Sequence, residues 1–483
     1  MDNKFGFLFL LLFWIISFIL IKVTSKKGDK TVSSFLLSNR NVGVLLGGVS
    51  VAAAWIWAPA LFVASQKAYE QGLPGLFWFT LPNVLALVLF SFLATRMKKI
   101  FRHGYTLPEY IKIRFDKKMQ NIYIIAIFII QIYAVVLQVT AGLLLLNIVT
   151  GIDKTILVII IGIIILSLSL INGFRSSLIV DSIKAGFITI VGIIIIPWVI
   201  SKSGGLVNIV DGFSGVSGKF GNIFDLNVAL TFGIPISVAL LSGITIDQQQ
   251  WQRAFALKEG IAKKSFLLGA LFFLFVPILL GILGFAAVGS NLPINVNQTQ
   301  LAGIFLIKNY LPQFGVYIFS FMILSGLVAA GMSALSAASS VGAIDLFHLF
   351  KKDVSDKNAI LISRITMILI MIVAISIALI PNIQILYLML LIGTFRASLM
   401  IPTILSLYWG KLSTRFTFWG IIIGMIVGMT LFIYGSLTKN SMISSFGSLV
   451  PILISTIFCI IDGFINTKNF NYGKFTGTIS QSK

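Results

Sequence analysis

Apolar residues in this chain come in runs too long for the core helices of a soluble protein, and short polar joints part them. A helix rises about 1.5 Å per residue, so about 20 apolar residues cross a hydrocarbon layer of about 30 Å. Runs of that length recur from end to end. They predict an all-α polytopic membrane protein with thirteen transmembrane helices, at 5–23, 42–65, 75–96, 121–149, 154–172, 178–201, 227–249, 264–290, 314–342, 359–380, 383–408, 416–435 and 443–466. No joint is long enough for a separate soluble domain.

Two of these spans are disturbed. The second carries Gly47, Gly48 and Pro59, and the seventh carries Gly233, Pro235 and Gly243. They lie five spans apart, and because five is odd the two cross in opposite senses, as halves related by an axis in the membrane plane require. Unwinding a helix in lipid frees N–H and C=O groups at several kcal/mol each, so it survives only where they face protein, water or a ligand. In AAAWIWAPAL (52–61), Pro59 has no amide to donate and crowds the carbonyl four residues earlier, that of Trp55. Carbonyls near Ala53 and Ile56 then become candidate cation ligands, and Trp55 and Trp57 can approach one cavity as flat apolar walls.

Composition removes several function classes. The 483 residues are 58% hydrophobic and 11% charged, outside the range of soluble domains. The net charge of +21 is spread over short joints with no basic, aromatic-interleaved patch, which argues against a nucleic-acid partner. Placing the N-terminus outside puts most of the 36 Lys and Arg residues on inner joints, the most basic being 97–120. The C-terminus is then cytoplasmic, in what is expected to be the plasma (inner) membrane. The single cysteine, Cys459, builds neither a disulfide nor a metal cluster. With no intramembrane histidine and no nucleophile–base set, an enzyme is not expected, and neither is a cofactor.

Several stretches carry a family resemblance: SSFLLSNRNVGVLLGGVSVAAAWIWAP, AYEQGLPGLFWF, NGFRSSLIVDSIK, DQQQWQRAFALKEG and AAGMSALSAASSVGAIDLF. In this order they resemble the sodium/solute symporter family over 32 to about 410, and the W-I-W element looks most like its urea-symporter branch. The resemblance implies a five-plus-five inverted-repeat core with broken first and sixth core helices. The core would fill 42–408, with one extra helix and joint in 1–41 and two helices and a tail in 409–483. It also implies a sodium site at Ala53, Ile56, Ala330, Ser333 and the position of Ala334, where the second hydroxyl is missing. Asp181 matches the family's acidic position, with Ser336 one turn beyond Ser333 as a further oxygen. Lys184, one turn after Asp181, is either a snorkelling partner of that acid or a built-in cation that carries a coupling proton.

Arg396 lies near the middle of its span, where a charge costs about 2.5–3.5 kcal/mol. It either pairs with freed carbonyls or forks an anionic group of a solute. Ser242 and Thr245 of the seventh span add hydroxyls for the solute, while Gln248, Gln249 and Gln250 either line the inner exit or are solvated. By these boundaries Asp181 and Asp247 sit near the inner edge and Glu70 outside, so no acid reaches Arg396. A carboxylate-bearing solute therefore comes ahead of urea. The expectation is a secondary active transporter in the lipid bilayer, coupling a small-molecule solute to Na+, with H+ as the alternative. A channel or a solute sensor on the same fold competes with it, and the oligomeric state is open.

Overall fold

The computed structural model describes residues 3–24, 31–171, 174–346, 355–381 and 383–477. The architecture is helical, with one isolated backbone bridge, Val42 to Leu257. Among the described residues, twelve helices are long and apolar enough to cross a membrane, beside the shorter Val44–Trp55. The expected thirteen are not confirmed by helix length alone. The difference lies at Ala58–Ile100, where 43 residues form one continuous element carrying a non-helical residue, Gly72 (φ 59°, ψ −143°). At about 1.5 Å per residue this element is twice the hydrocarbon thickness.

The N-terminal helix Asn3–Thr24 shows how an apolar sequence picks its buried side. Leu10, Phe13, Ser17 and Ile21 recur at helical spacing and are buried, while Phe5, Leu8, Leu12, Ile15 and Ile19 stay exposed. The outer residues face lipid, which is as apolar as they are. Association there rests on close packing and internal hydrogen bonds rather than on the hydrophobic effect, and Trp14 Nε1 donates to Ser167 Oγ at 3.0 Å across this seam.

Two groups of helices enclose the centre. Ala262–Gly289 runs along Ala58–Ile100 and Val44–Trp55, and Ile234–Ile246 packs on Ile385–Tyr408. Gln313–Val341 packs on Lys117–Thr150 and Phe174–Lys202, while Thr414–Leu437 and Ser441–Ile465 pair with each other at the edge. Against these, the first core helix is Val44–Trp55 with its continuation from Ala58, and the sixth is Leu226–Ile246 continued by Gln248–Ala256.

Gly72 marks the kink between two helical segments, and its backbone approaches the loop that follows Phe174–Lys202 closely. A Cβ there would sit 2.1 Å from the Phe213 carbonyl oxygen, and Val216 N donates to Tyr69 O at 2.8 Å beside it. Gly72→Ala combines a left-handed φ with that overlap and should lower stability by at least about 2 kcal/mol. Thermal unfolding of purified protein should show the drop, and an unchanged midpoint would contradict this account of the kink.

Candidate functional site

The first core helix stops at Trp55. Ile56 (φ −82°, ψ 78°) and Trp57 (φ −114°, ψ 177°) are extended, and the helix resumes at Ala58. Pro59 lies in the first turn of the resumed segment, where its missing N–H costs little. It therefore starts the second half, whereas the sequence suggested a kink behind it. The freed amide of Ala58 donates to Gln138 Oε1 at 3.0 Å. Trp55 is pinned by its indole N–H on Asn83 Oδ1 at 3.0 Å, and its ring lies 5.9 Å from that of Trp57.

The sixth core helix breaks at Asp247 (φ −73°, ψ 110°), not at the glycines or proline that flagged the span. Pro235 opens a regular segment, Gly233 makes room for the Trp78 ring, and Gly243 for Arg396: a Cβ on Gly243 would lie 3.1 Å from Arg396 Nη2. Asp247 caps the second half, accepting from Gln249 N at 2.9 Å and from Gln131 Nε2 at 3.2 Å. Trp251 Nε1 reaches back to Thr245 O at 2.9 Å and ties the halves together.

Both breaks open on one cavity of about 20 Å³, lined among others by Trp55, Trp57, Tyr133, Asp247, Gln249, Ala330 and Arg396. Arg396 Nη2 donates to Ala239 O at 3.1 Å, and its guanidinium carbon lies 5.8 Å from the Tyr133 ring centre. Arg396 Nε, Trp57 Nε1, Tyr133 OH and Gln249 Oε1 are buried without a hydrogen-bond partner. Asp247 thus shares a cavity wall with Arg396, which corrects its expected place near the inner edge. The polarity of the following helix, QQQWQRAFA, hid this, because a hydropathy window ends the span before it.

The expected cation residues divide. Asp181 and Ser333 meet, with Ser333 Oγ donating to Asp181 Oδ2 at 3.1 Å. Between them stands a residue that the motif contained and the reading passed over, Arg253. Its Nη2 donates to Ser333 Oγ at 2.9 Å and to Asp181 Oδ2 at 3.2 Å. Its Nε reaches Ser50 O and Oγ at 3.2 and 3.1 Å, and its Nη1 reaches Gln249 O at 3.1 Å. The first core helix, the fifth (Phe174–Lys202), the sixth and the eighth (Gln313–Val341) are joined through this one guanidinium. Ala53 O accepts from Ile56 N at 3.3 Å, and Ile56 is buried at the break.

Ser336 pairs with the Gln252 amide rather than with Asp181. Lys184 is buried, its Nζ unpartnered and 5.9 Å from the Phe13 ring centre. Ser242 donates to Val238 O and Gly393 O, and Thr245 to Leu241 O; neither lines the cavity.

The cavity is covered on both sides. On the side expected to face outward, Glu70 takes Lys67 at 2.6 Å, Gln66 at 2.9 Å and the Thr299 hydroxyl. On the side expected to face the cytoplasm, Lys98 Nζ donates to Phe255 O and Leu257 O, and Arg40 to Gly104 O and His103 O. Thr106 caps the short helix Leu107–Arg114 there, and Glu109 accepts from Tyr105 N. Burial pushes the Glu109 carboxyl above the usual carboxylate range, against that N–H and the Arg40 charge.

Two helices broken around one closed cavity near mid-membrane are the arrangement in which secondary transporters build their binding sites. The chain belongs to the sodium:solute symporter family, whose model matches residues 35–424. It is 20% identical over 469 residues to the Urea-proton symporter DUR3 of Oryza sativa subsp. japonica, covering 89% of this chain and 64% of that one. It is 21% identical over 264 residues to the Urea active transporter of Saccharomyces cerevisiae, covering 52% and 36%. The chain thus spans less than two thirds of these relatives' length.

Among solved structures, a Na+-coupled sialic acid symporter in a substrate-bound outward-open state matches with TM-score 0.80 at 17% identity, over 96% of this chain and 99% of that one. Mhp1, a nucleobase-cation-symport-1 family transporter in a closed conformation with bromovinylhydantoin bound, matches with TM-score 0.56 at 11% identity, over 91% and 97%. These share the fold. For this chain these likenesses establish a symporter family and a shared fold, with helices long and apolar enough to cross a membrane.

Removing one partner of a buried ion pair strands the other. Arg253→Gln should therefore cost about 3–5 kcal/mol, and Asp181→Asn in the same chain should restore part of it. Denaturant or thermal unfolding of the singles and the double variant measures the coupling. Additive effects would show that the pair does not act as a unit.

Proposed function

We propose that the transported solute is a small, planar, neutral amide of the urea class and that the coupling ion is a proton. The observation that carries the solute reading is the shared wall of Asp247 and Arg396. Without an acid near it, Arg396 would favour a carboxylate solute. With Asp247 on the same cavity the resident charges cancel, and a second carboxylate would meet repulsion. The free groups suit an amide instead, since Asp247 and Gln249 Oε1 accept N–H while Arg396 Nε, Trp57 Nε1 and Tyr133 OH donate to a carbonyl. Trp55 and Trp57 offer flat faces to a planar molecule. The names of the rice and yeast relatives point the same way.

Arg253 supports the proton. Sodium prefers several oxygen ligands, and this guanidinium already engages Ser333 Oγ and Asp181 Oδ2, while Ala334 supplies no hydroxyl. A second reading, sodium coupling, is favoured by the unpartnered Asp181 Oδ1, which leaves one oxygen for a cation. In either case we place the transport core at 42–408, in the plasma membrane, with the N-terminus outside and the C-terminus inside.

Proteoliposomes separate these readings. An inward pH gradient should drive accumulation of radiolabelled urea, and a sodium gradient at fixed pH should not. Acetamide should compete and acetate should not. Asp247→Asn weakens a charge-assisted hydrogen bond of about 1.5–3 kcal/mol, so urea uptake should fall about tenfold or more. The solute reading is falsified if acetate competes as well as acetamide, or if Asp247→Asn transports urea like the wild type.

A further inference from the structure

Five ionisable side chains are buried around the breaks: Asp181, Lys184, Asp247, Arg253 and Arg396. Two are carboxylates and two are guanidiniums, which do not deprotonate in proteins. Asp181 pairs with Arg253, and Asp247 faces the cavity with Arg396. That leaves Lys184 as the odd cation. Its Nζ has no hydrogen-bond acceptor, and one helical turn before it Asp181 Oδ1 is also unpartnered.

No other charge competes for Lys184. The N-terminal helix shows it Phe13 and carries charge only at its ends, Lys4 and Lys22, and neither Val32–Leu37, Val44–Trp55 nor Gln313–Val341 carries a charged residue. Ala262–Gly289 carries only Lys263 and Lys264, at its start, and Ala302–Tyr310 and Leu206–Asp211 carry one charge each, Lys308 and Asp211. Among the described residues, Asp181 is the charged group acting on Lys184, with Arg253 behind it.

We propose that Lys184 carries the coupling proton, and that its protonation draws Asp181 from Arg253 and so unlatches the first core helix. This rests on the proton-coupled reading above. A proton bonds to the amine lone pair on Nζ, and the resulting ammonium donates to Asp181 Oδ1. Arg253 then shares its carboxylate, and its hold on Ser50 O and Oγ loosens. Its Nη1 also holds the carbonyl of Gln249, whose side-chain oxygen opens on the cavity. Solute and proton thereby act on one guanidinium. Release of the proton to water on the inner side restores the amine and the Asp181–Arg253 pair.

The test uses full-length protein in proteoliposomes with radiolabelled urea and an internal pH dye. In Lys184→Met nothing takes up the proton and the Asp181–Arg253 latch stays closed, so urea counterflow, which needs no net proton transfer, should slow and stop varying with pH. Accumulation on a pH gradient should fall to equal concentrations inside and out, and the urea-induced dye signal should vanish. Should that variant fail to fold, Lys184→Arg keeps length and charge but cannot release its proton; it too should lose accumulation, and its counterflow should no longer vary with pH. Wild-type accumulation and proton flux in either variant would overturn the role of Lys184 while leaving the proton-coupled reading intact. Accumulation by the wild type on a sodium gradient alone would overturn both.

Discussion

An amide freed inside a membrane has no water to turn to, and the Ala58 N–H depends on Gln138 of a neighbouring helix for its partner. That requirement organises the centre of the protein. Each break in a core helix must be satisfied by side chains, either from a neighbouring helix or from a capping residue that a neighbour holds in turn, so the breaks recruit the neighbours that wall the cavity. Asp247 does the same at the second break, closing on the Gln249 amide and the Gln131 side chain. The unpartnered groups that face the cavity, on Trp57, Tyr133, Gln249 and Arg396, then form a chemical description of what belongs there.

Arg253 adds a second constraint at greater depth. A guanidinium buried at this position is tolerable only with nearly all its donors used, and it uses them on Ser50, Gln249, Asp181 and Ser333. Those residues belong to four helices. A rigid-body movement of the first and sixth core helices against the fifth and eighth must therefore break or stretch at least one of these bonds. The cluster acts as a latch because Arg253 uses nearly all its donors in this arrangement and fewer in any other.

The sequence made the two broken helices legible, but for unequal reasons. At the first break the W-I-W-A-P stretch contains the cause, since a proline in a first turn needs non-helical residues before it. At the sixth, the glycines and proline that flagged the span serve packing, and the break falls on an acid that caps a short polar helix. Hydropathy misplaces such a helix, because QQQWQRAFA is polar through contact with other helices rather than with water. For that reason Asp247 was read at the edge and Arg253 was passed over, while Ser242 and Thr245 were expected in a cavity from which their hydroxyls turn away into backbone carbonyls. Arg396 was legible because one charge in a long apolar run has no other explanation than an interior partner, although the partner itself was not.

Locating the acid changes what the transporter can afford to carry. A carrier must return empty, and a net charge buried in the returning site would move in the field of the membrane potential, at about 2.3 kcal/mol per charge per 100 mV. With Asp247 and Arg396 on one wall and Asp181 against Arg253, the fixed charges of the empty site cancel in pairs. A neutral solute leaves that balance undisturbed in both directions, whereas an anionic one would burden only the loaded step. The charge that crosses is then that of the coupling ion alone, and the membrane potential acts on the loaded carrier while leaving the empty one free to return.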